Sequence, residues 1–139
     1  MAQTGPIVVG IDGSASSRAA LVWAAEKAER RGRPLVAVIA WHYPAQLGTI
    51  GVAVDLDLEG AARGTLDREL QEVLGERAAS VGRRVAHGHA AAALVQASGE
   101  AELLVVGSRG HSGLSSVLLG SVNLHCVTHA SCTVVVVRG

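Results

Sequence analysis

Apolar and polar positions along this chain fall into alternating blocks. Short valine- and isoleucine-rich runs are separated by longer stretches that carry an apolar stripe at helical spacing. Ile7-Val8-Val9-Gly10-Ile11 is continuous and β-branched, and Asp12-Gly13-Ser14 ends it, which predicts a buried strand. Ser14, Ser16 and Ser17 can each cap the helix that follows. Leu21, Ala24, Ala25 and Ala28 mark its buried stripe, with Glu26, Lys27, Glu29 and Arg30 facing away, and Gly32 and Pro34 stop it. Leu35 to Trp41 form a second apolar strand. His42 to about Gly60 shows no period and contains Pro44, Gly48 and Gly51, so it reads as a long connection, a lid or binding loop if it has a role.

A second amphipathic helix is predicted from Leu66, Leu70, Val73, Leu74, Ala78 and Val81, with Arg68, Glu69, Glu72 and Glu76 on its wet side. Val85 to His89 make a weak third strand, and Ala90 to about Ser98 a short alanine-rich helix. Leu103 to Val106 form a fourth strand, after which Gly and Ser crowd the chain as far as Gly120-Ser121. Cys126, Val127 and Ala130 mark a last helix, and Thr133 to Val137 a fifth strand with four consecutive valines. Strand and helix alternate throughout. The pattern predicts an α/β fold: a five-stranded parallel sheet covered by helices on both faces, with right-handed crossovers.

In an open doubly wound sheet, ligands bind where the strand order reverses, outside the carboxyl ends of the strands. For the order 3-2-1-4-5 the reversal lies between the first and fourth strands. Gly10-Ile11-Asp12-Gly13-Ser14 and Val106-Gly107-Ser108-Arg109-Gly110 would then meet in one crevice. Glycines there let backbone N–H groups approach a phosphate, and the helix starting near Ser121 adds unsatisfied N–H groups and partial positive charge. Asp12 could be only a turn residue, but its place at the end of the first strand favours a ligand role; Arg109 reads equally as a phosphate clamp or a solvated side chain, and Ser121 can cap the helix and bind phosphate at once.

The bulk numbers exclude several classes. The 139 residues suit a single domain, 1–139. Hydrophobic residues make up 49% but aromatics only 2%, so the core must be built from Ala, Val and Leu. Twelve basic residues balance twelve acidic ones, which leaves no global field for nucleic acid or an anionic membrane. No signal-like or membrane-spanning run appears, so a soluble cytoplasmic protein is expected. Cys126 and Cys132 match neither zinc nor redox spacing and read as reduced thiols. His125 and His129 stand four apart, which is metal-ligand spacing, but no acidic third ligand lies nearby in sequence, and a surface or packing role is the simpler reading. His87 and His89 are discounted in the same way, and His111 is a single position in the glycine loop. The serines sit in no nucleophile elbow, and Lys27, the only lysine, is not in a phosphate loop, so no catalytic residue is assigned and fast ATP hydrolysis is not expected.

Gly107-x-x-Gly110, nine residues and then Gly120-Ser121 resemble the ATP-binding signature of the universal stress protein family. The resemblance extends over nearly the whole chain: Val9 to Ser14, Ala40-Trp41-His42, Gly88, Leu103 to Gly107, Leu118 to Val122, and His129 to Val134. It implies the family's Rossmann-like sandwich, akin to adenine nucleotide alpha hydrolases, bound ATP with Mg²⁺, and a regulatory or protective role in stress with at most slow hydrolysis. By resemblance, Gly10, Ile11 and Asp12 would lie at the nucleotide, with Asp12 near adenine or ribose. Ala40 and Val106 would line the adenine pocket. Gly107, Arg109 and Gly110 would wrap ribose and phosphates, and Gly120, Ser121 and Val122 would bind phosphate. A homodimer through Thr133 to Val137 and an unknown protein partner are also implied. The alternative is a dimeric interaction module that does not bind ATP. Two departures stand out: Asn123 where the family commonly has Ser or Thr, and Ser131 and Thr133 where prolines are frequent.

Overall fold

The computed structural model describes residues 5–43, 57–108 and 121–139. Its strands are β1 (Ile7–Gly10), β2 (Leu35–Trp41), β3 (Gly82–His87), β4 (Leu103–Gly107) and β5 (Thr133–Val137). Its α-helices are α1 (Ala15–Arg31), α2 (Leu58–Leu74), α3 (Ala90–Ser98) and α4 (Ser121–His129), with a 3₁₀ segment at Gly75–Ser80. All strand pairs are parallel, as the alternation of strand and helix predicts, and the order is β3-β2-β1-β4-β5, the one that puts the reversal between the first and fourth strands. Ile7 pairs with Leu35 on one side and Leu103 on the other, so β1 is the central strand.

The period-two alternation of the strands divides the core. Ile7, Val9, Ala37, Ile39 and Val105 point to the side covered by α1 and α2. Val8, Val38, Leu104 and Val106 point to the side covered by α3 and α4. On the first side α1 inserts Ala20, Leu21, Ala24 and Ala28, and α2 inserts Ala62, Leu66, Leu70 and Leu74. Ala25 is only partly buried. Ser14 caps α1, its side chain accepting from the Ser17 N–H at 3.1 Å. Asp57 caps α2 in the same way, accepting from the Gly60 N–H at 2.8 Å.

Five expectations need correction. First, α2 starts at Leu58, so the unpatterned connection ends before Gly60, and 44–56 lies outside the described residues. Second, the helical pattern through Ala78 and Val81 is not one helix. The chain leaves α-geometry at Gly75, where φ is 58°, a value glycine adopts without steric cost. Ala78 and Val81 reach the core from the 3₁₀ segment and the residue after it. Third, Glu69 is not on the wet side. It is 3% exposed because Arg18 of α1 donates to both its oxygens, at 3.0 Å and 3.1 Å from Nε, while also reaching Glu72. These hydrogen bonds hold the Arg18 guanidinium protonated well beyond its ordinary range. Fourth, β3 begins at Gly82, three residues before Val85, and ends at His87. It is an edge strand whose first half, Gly82-Arg83-Arg84, is exposed and has no apolar pattern to read. Fifth, Val127 is 50% exposed; α4 reaches the core through Cys126 and buries Asn123 beside it.

Candidate functional site

The order reverses between β1 and β4, and a crevice opens there at the carboxyl ends of the strands. It encloses about 110 Å³. Eight of the eleven residues singled out from sequence line it: Gly10, Ile11, Asp12, Ala40, Val106, Gly107, Ser121 and Val122. Arg109, Gly110 and Gly120 lie outside the described residues. Ser17, Val38, Ala90, Ala93, Leu94 and Asn123 complete the lining. The first signal for the missed residues was strand periodicity, since Val38 is two residues before Ala40 and shares its face. The second was the alanine run that opens α3, a helix thin enough to leave room beside the sheet.

The lining has two parts. Val38, Ala40, Ala90, Ala93, Leu94 and Val106 make an apolar, small-residue end. Asp12, Ser17, Gly107, Ser121 and Asn123 make a polar end. Among the described lining residues Asp12 is the only ionisable one. The polar end is wired to the helix starts. Asp12 Oδ1 accepts from the Ser14 N–H at 2.9 Å, so Asp12 performs the turn role while lining the crevice. Ser17 Oγ lies 3.4 Å from the Asp12 N–H and donates to the Ser14 carbonyl at 3.1 Å. Ser16 Oγ and Ser108 Oγ are 3.4 Å apart, linking the start of α1 to the end of β4.

Gly107 has a packing reason to be glycine: a Cβ there would stand 2.6 Å from the carbonyl carbon and oxygen of Ser16. Gly10 is small for a related reason, because a Cβ would press on both Leu94 methyl groups at 3.1 Å and 3.2 Å. The two departures from the family pattern also have structural roles. Asn123 is buried and its amide donates to the Gly107 carbonyl, fixing the end of β4 against α4. The Ser131 N–H donates to Ser98 Oγ at 2.9 Å, a bond that a proline could not make.

At the ends of β2 and β3, Trp41 packs on Tyr43 (centroids 5.5 Å) and on His87 (4.4 Å), and His42 on His89 (4.5 Å). Both cysteines are free thiols, Cys126 buried and Cys132 half-buried, and burial raises the pKa of each. Among the described residues there is no group of three or more His, Cys, Asp or Glu that could hold a metal ion. No helix among them is long and apolar enough to cross a membrane.

A parallel sheet of this order, with a two-part crevice at its reversal and a helix start at the crevice mouth, defines a Rossmann-like α/β protein. The sequence profile of the Universal stress protein family matches residues 4–138, and the chain belongs to that family. A universal stress protein of Mycobacterium tuberculosis is 39% identical over 144 residues, covering 97% of this chain and 45% of the relative. One from Mycolicibacterium smegmatis is 36% identical over 136 residues, covering 96% and 45%. The chain therefore spans about half the length of the curated relatives it matches. Among solved structures, the universal stress protein UspA from Lactobacillus plantarum superposes with a TM-score of 0.76 at 25% identity, covering 99% of this chain and 100% of the other. A universal stress protein in complex with cAMP superposes with a TM-score of 0.70 at 27% identity, covering 96% of each.

Proposed function

We propose that the crevice binds an adenine nucleotide, ATP with Mg²⁺, and that residues 1–139 act as one nucleotide-dependent regulatory or protective unit in the cytoplasm. The observation that carries this reading is the division of the crevice into an apolar end and a polar end at the strand reversal. A purine suits the apolar end beside Ala40 and Val106. Ribose and phosphates suit the polar end, where Asp12, Gly107, Ser121 and Val122 offer a carboxylate, a hydroxyl and backbone N–H groups beside the start of α4. Gly10 and Ile11 also line the crevice, and Arg109, Gly110 and Gly120 belong to the same proposal. The relative in complex with cAMP supports an adenine nucleotide as the ligand class.

The lining fits a metal carried by the nucleotide better than one caged by protein. Asp12 is the only carboxylate in the described lining, and Mg²⁺ is commonly held by phosphate oxygens and water with one or two carboxylates. Bound there, Mg²⁺ would neutralise phosphate charge. Asn123 is committed to Gly107, so phosphate contacts fall to Ser121 and Val122. With Lys27 remote on α1, turnover of ATP would be slow at most.

The sheet edge supports a homodimer. β5 is an edge strand, and Val134 to Val137 are only partly covered. Pairing with a second copy would satisfy its open hydrogen-bonding side, and a protein partner would read the surface that ATP alters. A single sedimenting species of monomer mass at micromolar concentration would remove the dimer from this proposal.

The test begins with protein purified without added nucleotide. The protein is denatured and released small molecules are identified by mass spectrometry, then stripped protein is titrated with ATP and Mg²⁺. The expected result is recovered adenine nucleotide, or saturable binding of about one ATP per chain. Ala93→Leu, which fills the apolar end, should weaken binding at least tenfold while leaving the fold intact. No recovered ligand and no binding would leave the alternative, an interaction module acting through its dimer surface.

A further inference from the structure

The outer face of α4 carries a second chemical feature, away from the crevice. This helix turns Asn123 and Cys126 inward and exposes Leu124, His125, Thr128 and His129. His125 and His129 are one turn apart, and their rings stack with centroids 4.4 Å apart and planes at 24°. His129 Nδ1 lies 3.1 Å from the His125 carbonyl oxygen. A carbonyl only accepts, so Nδ1 donates, and in the neutral imidazole Nε2 is then the nitrogen that keeps a lone pair for a metal. Anchoring one ring nitrogen on a backbone carbonyl is how ligating histidines are commonly oriented and made more basic. Ser121–His129 contains no Asp, Glu, Lys or Arg, so no cation on the helix competes for the position. The partial negative charge of the helix carboxyl end favours a cation beside His129.

We infer that His125 and His129 form a two-imidazole chelate for a borderline divalent transition-metal ion, Ni²⁺, Cu²⁺ or Zn²⁺, on the outer face of α4. Imidazole is the ligand type these ions share. With metal–nitrogen bonds of about 2.0–2.1 Å the two nitrogens must stand about 3.4 Å apart on a tetrahedral ion and about 2.9 Å apart in adjacent positions of a tetragonal or octahedral one, so binding requires the rings, stacked at 4.4 Å, to turn until their lone pairs converge. Water completes the coordination. The site is separate from the crevice, to which α4 contributes Ser121, Val122 and Asn123 at its opposite end.

The test uses the full chain without a histidine tag, titrated calorimetrically with Ni²⁺ at neutral pH in a non-thiol reductant. One Ni²⁺ per chain is expected. His125→Ala and His129→Ala should each weaken binding at least tenfold, and the double variant should abolish it. His42→Ala and His89→Ala, which disrupt the other close imidazole pair, should bind as the parent does. Saturating Ni²⁺ should raise the thermal midpoint of the parent and leave that of the double variant unmoved, since only binding to the folded form stabilises it. With Cu²⁺, the electron paramagnetic resonance spectrum should show two coordinated nitrogens. His125→Gln and His129→Gln, which keep a polar side chain on the helix, repeat the measurement in a second background. The inference is overturned if the parent binds no Ni²⁺, if the double variant binds it undiminished, or if affinity follows His42 and His89 instead.

Discussion

The two faces of the sheet are built unequally. One is covered by α1 and α2, 17 residues each, and gathers a described core of seventeen buried residues. The other is covered by α3 and α4, nine residues each, and gathers eight. The heavy face is closed by leucines and by the Arg18 clamp on Glu69. The light face is closed by alanines, by Cys126, and by single hydrogen bonds from Asn123 and Ser131. The crevice opens on the light face, where short helices with small side chains leave volume above Val38 and Val106. Stability and the site are thus assigned to opposite sides of one sheet, with β1 and β4 common to both.

This contrast can be broken in three graded ways. Leu66→Ala removes a fully buried side chain from the heavy face and should cost the upper part of the usual range, about 3–5 kcal/mol in urea unfolding, with ATP affinity unchanged. Leu94→Ala on the light face should cost only about 2 kcal/mol, because Leu94 already borders open volume, but should weaken ATP binding. Equal stability losses with no effect on affinity would remove the division. Gly107→Ala should cost about 1–3 kcal/mol by pushing the end of β4 from Ser16, and its thermal midpoint should fall accordingly.

The smallest effect is a pH dependence. Burial raises the pKa of the Cys126 thiol, so the folded chain keeps a proton that the unfolded chain gives up at alkaline pH. That contribution is intact below the unfolded thiol's pKa, about 8.5, and is lost as pH rises above it. The urea midpoint should therefore decline between about pH 8 and 10, and less steeply in Cys126→Ala. A slope unchanged by that substitution would assign the decline to other groups.

What was legible in the sequence followed from locality. β2, α3 and β5 have the predicted boundaries because apolar runs, an alanine block and flanking glycines declare them within a few residues. Strand–helix alternation makes the sheet parallel, but other doubly wound orders share that alternation, so the order β3-β2-β1-β4-β5, and with it the meeting of Gly10–Asp12 with Val106–Gly107, is visible only in the folded sheet. Glu69 was illegible because its partner Arg18 is 51 residues away, and no helical period reports a charge brought from another helix. The start of β3 was illegible because an edge strand is held by its ladder to β2, Val36 opposite Gly82, and needs no apolar pattern there. The 3₁₀ segment escaped because a period of three is close enough to 3.6 to carry Ala78 and Val81 onto the same side. Asn123 stood out from sequence as a departure, but its hydrogen bond to Gly107 appears only once β4 and α4 are side by side.

The contact between Trp41 and His87 has an optical consequence. The chain has two tryptophans, one tyrosine and no phenylalanine, so its near-ultraviolet signals come from very few places. Trp41 ends the strand that supplies Ala40 to the crevice, and its indole lies against an imidazole. Indole emission responds to the groups packed against the ring, so Trp41 fluorescence should change when a ligand shifts the end of β2. The Trp23→Tyr protein would then carry a single tryptophan, one residue after Ala40 on the strand that helps line the crevice, and its emission could follow ligand entry in a stopped-flow instrument without any added dye.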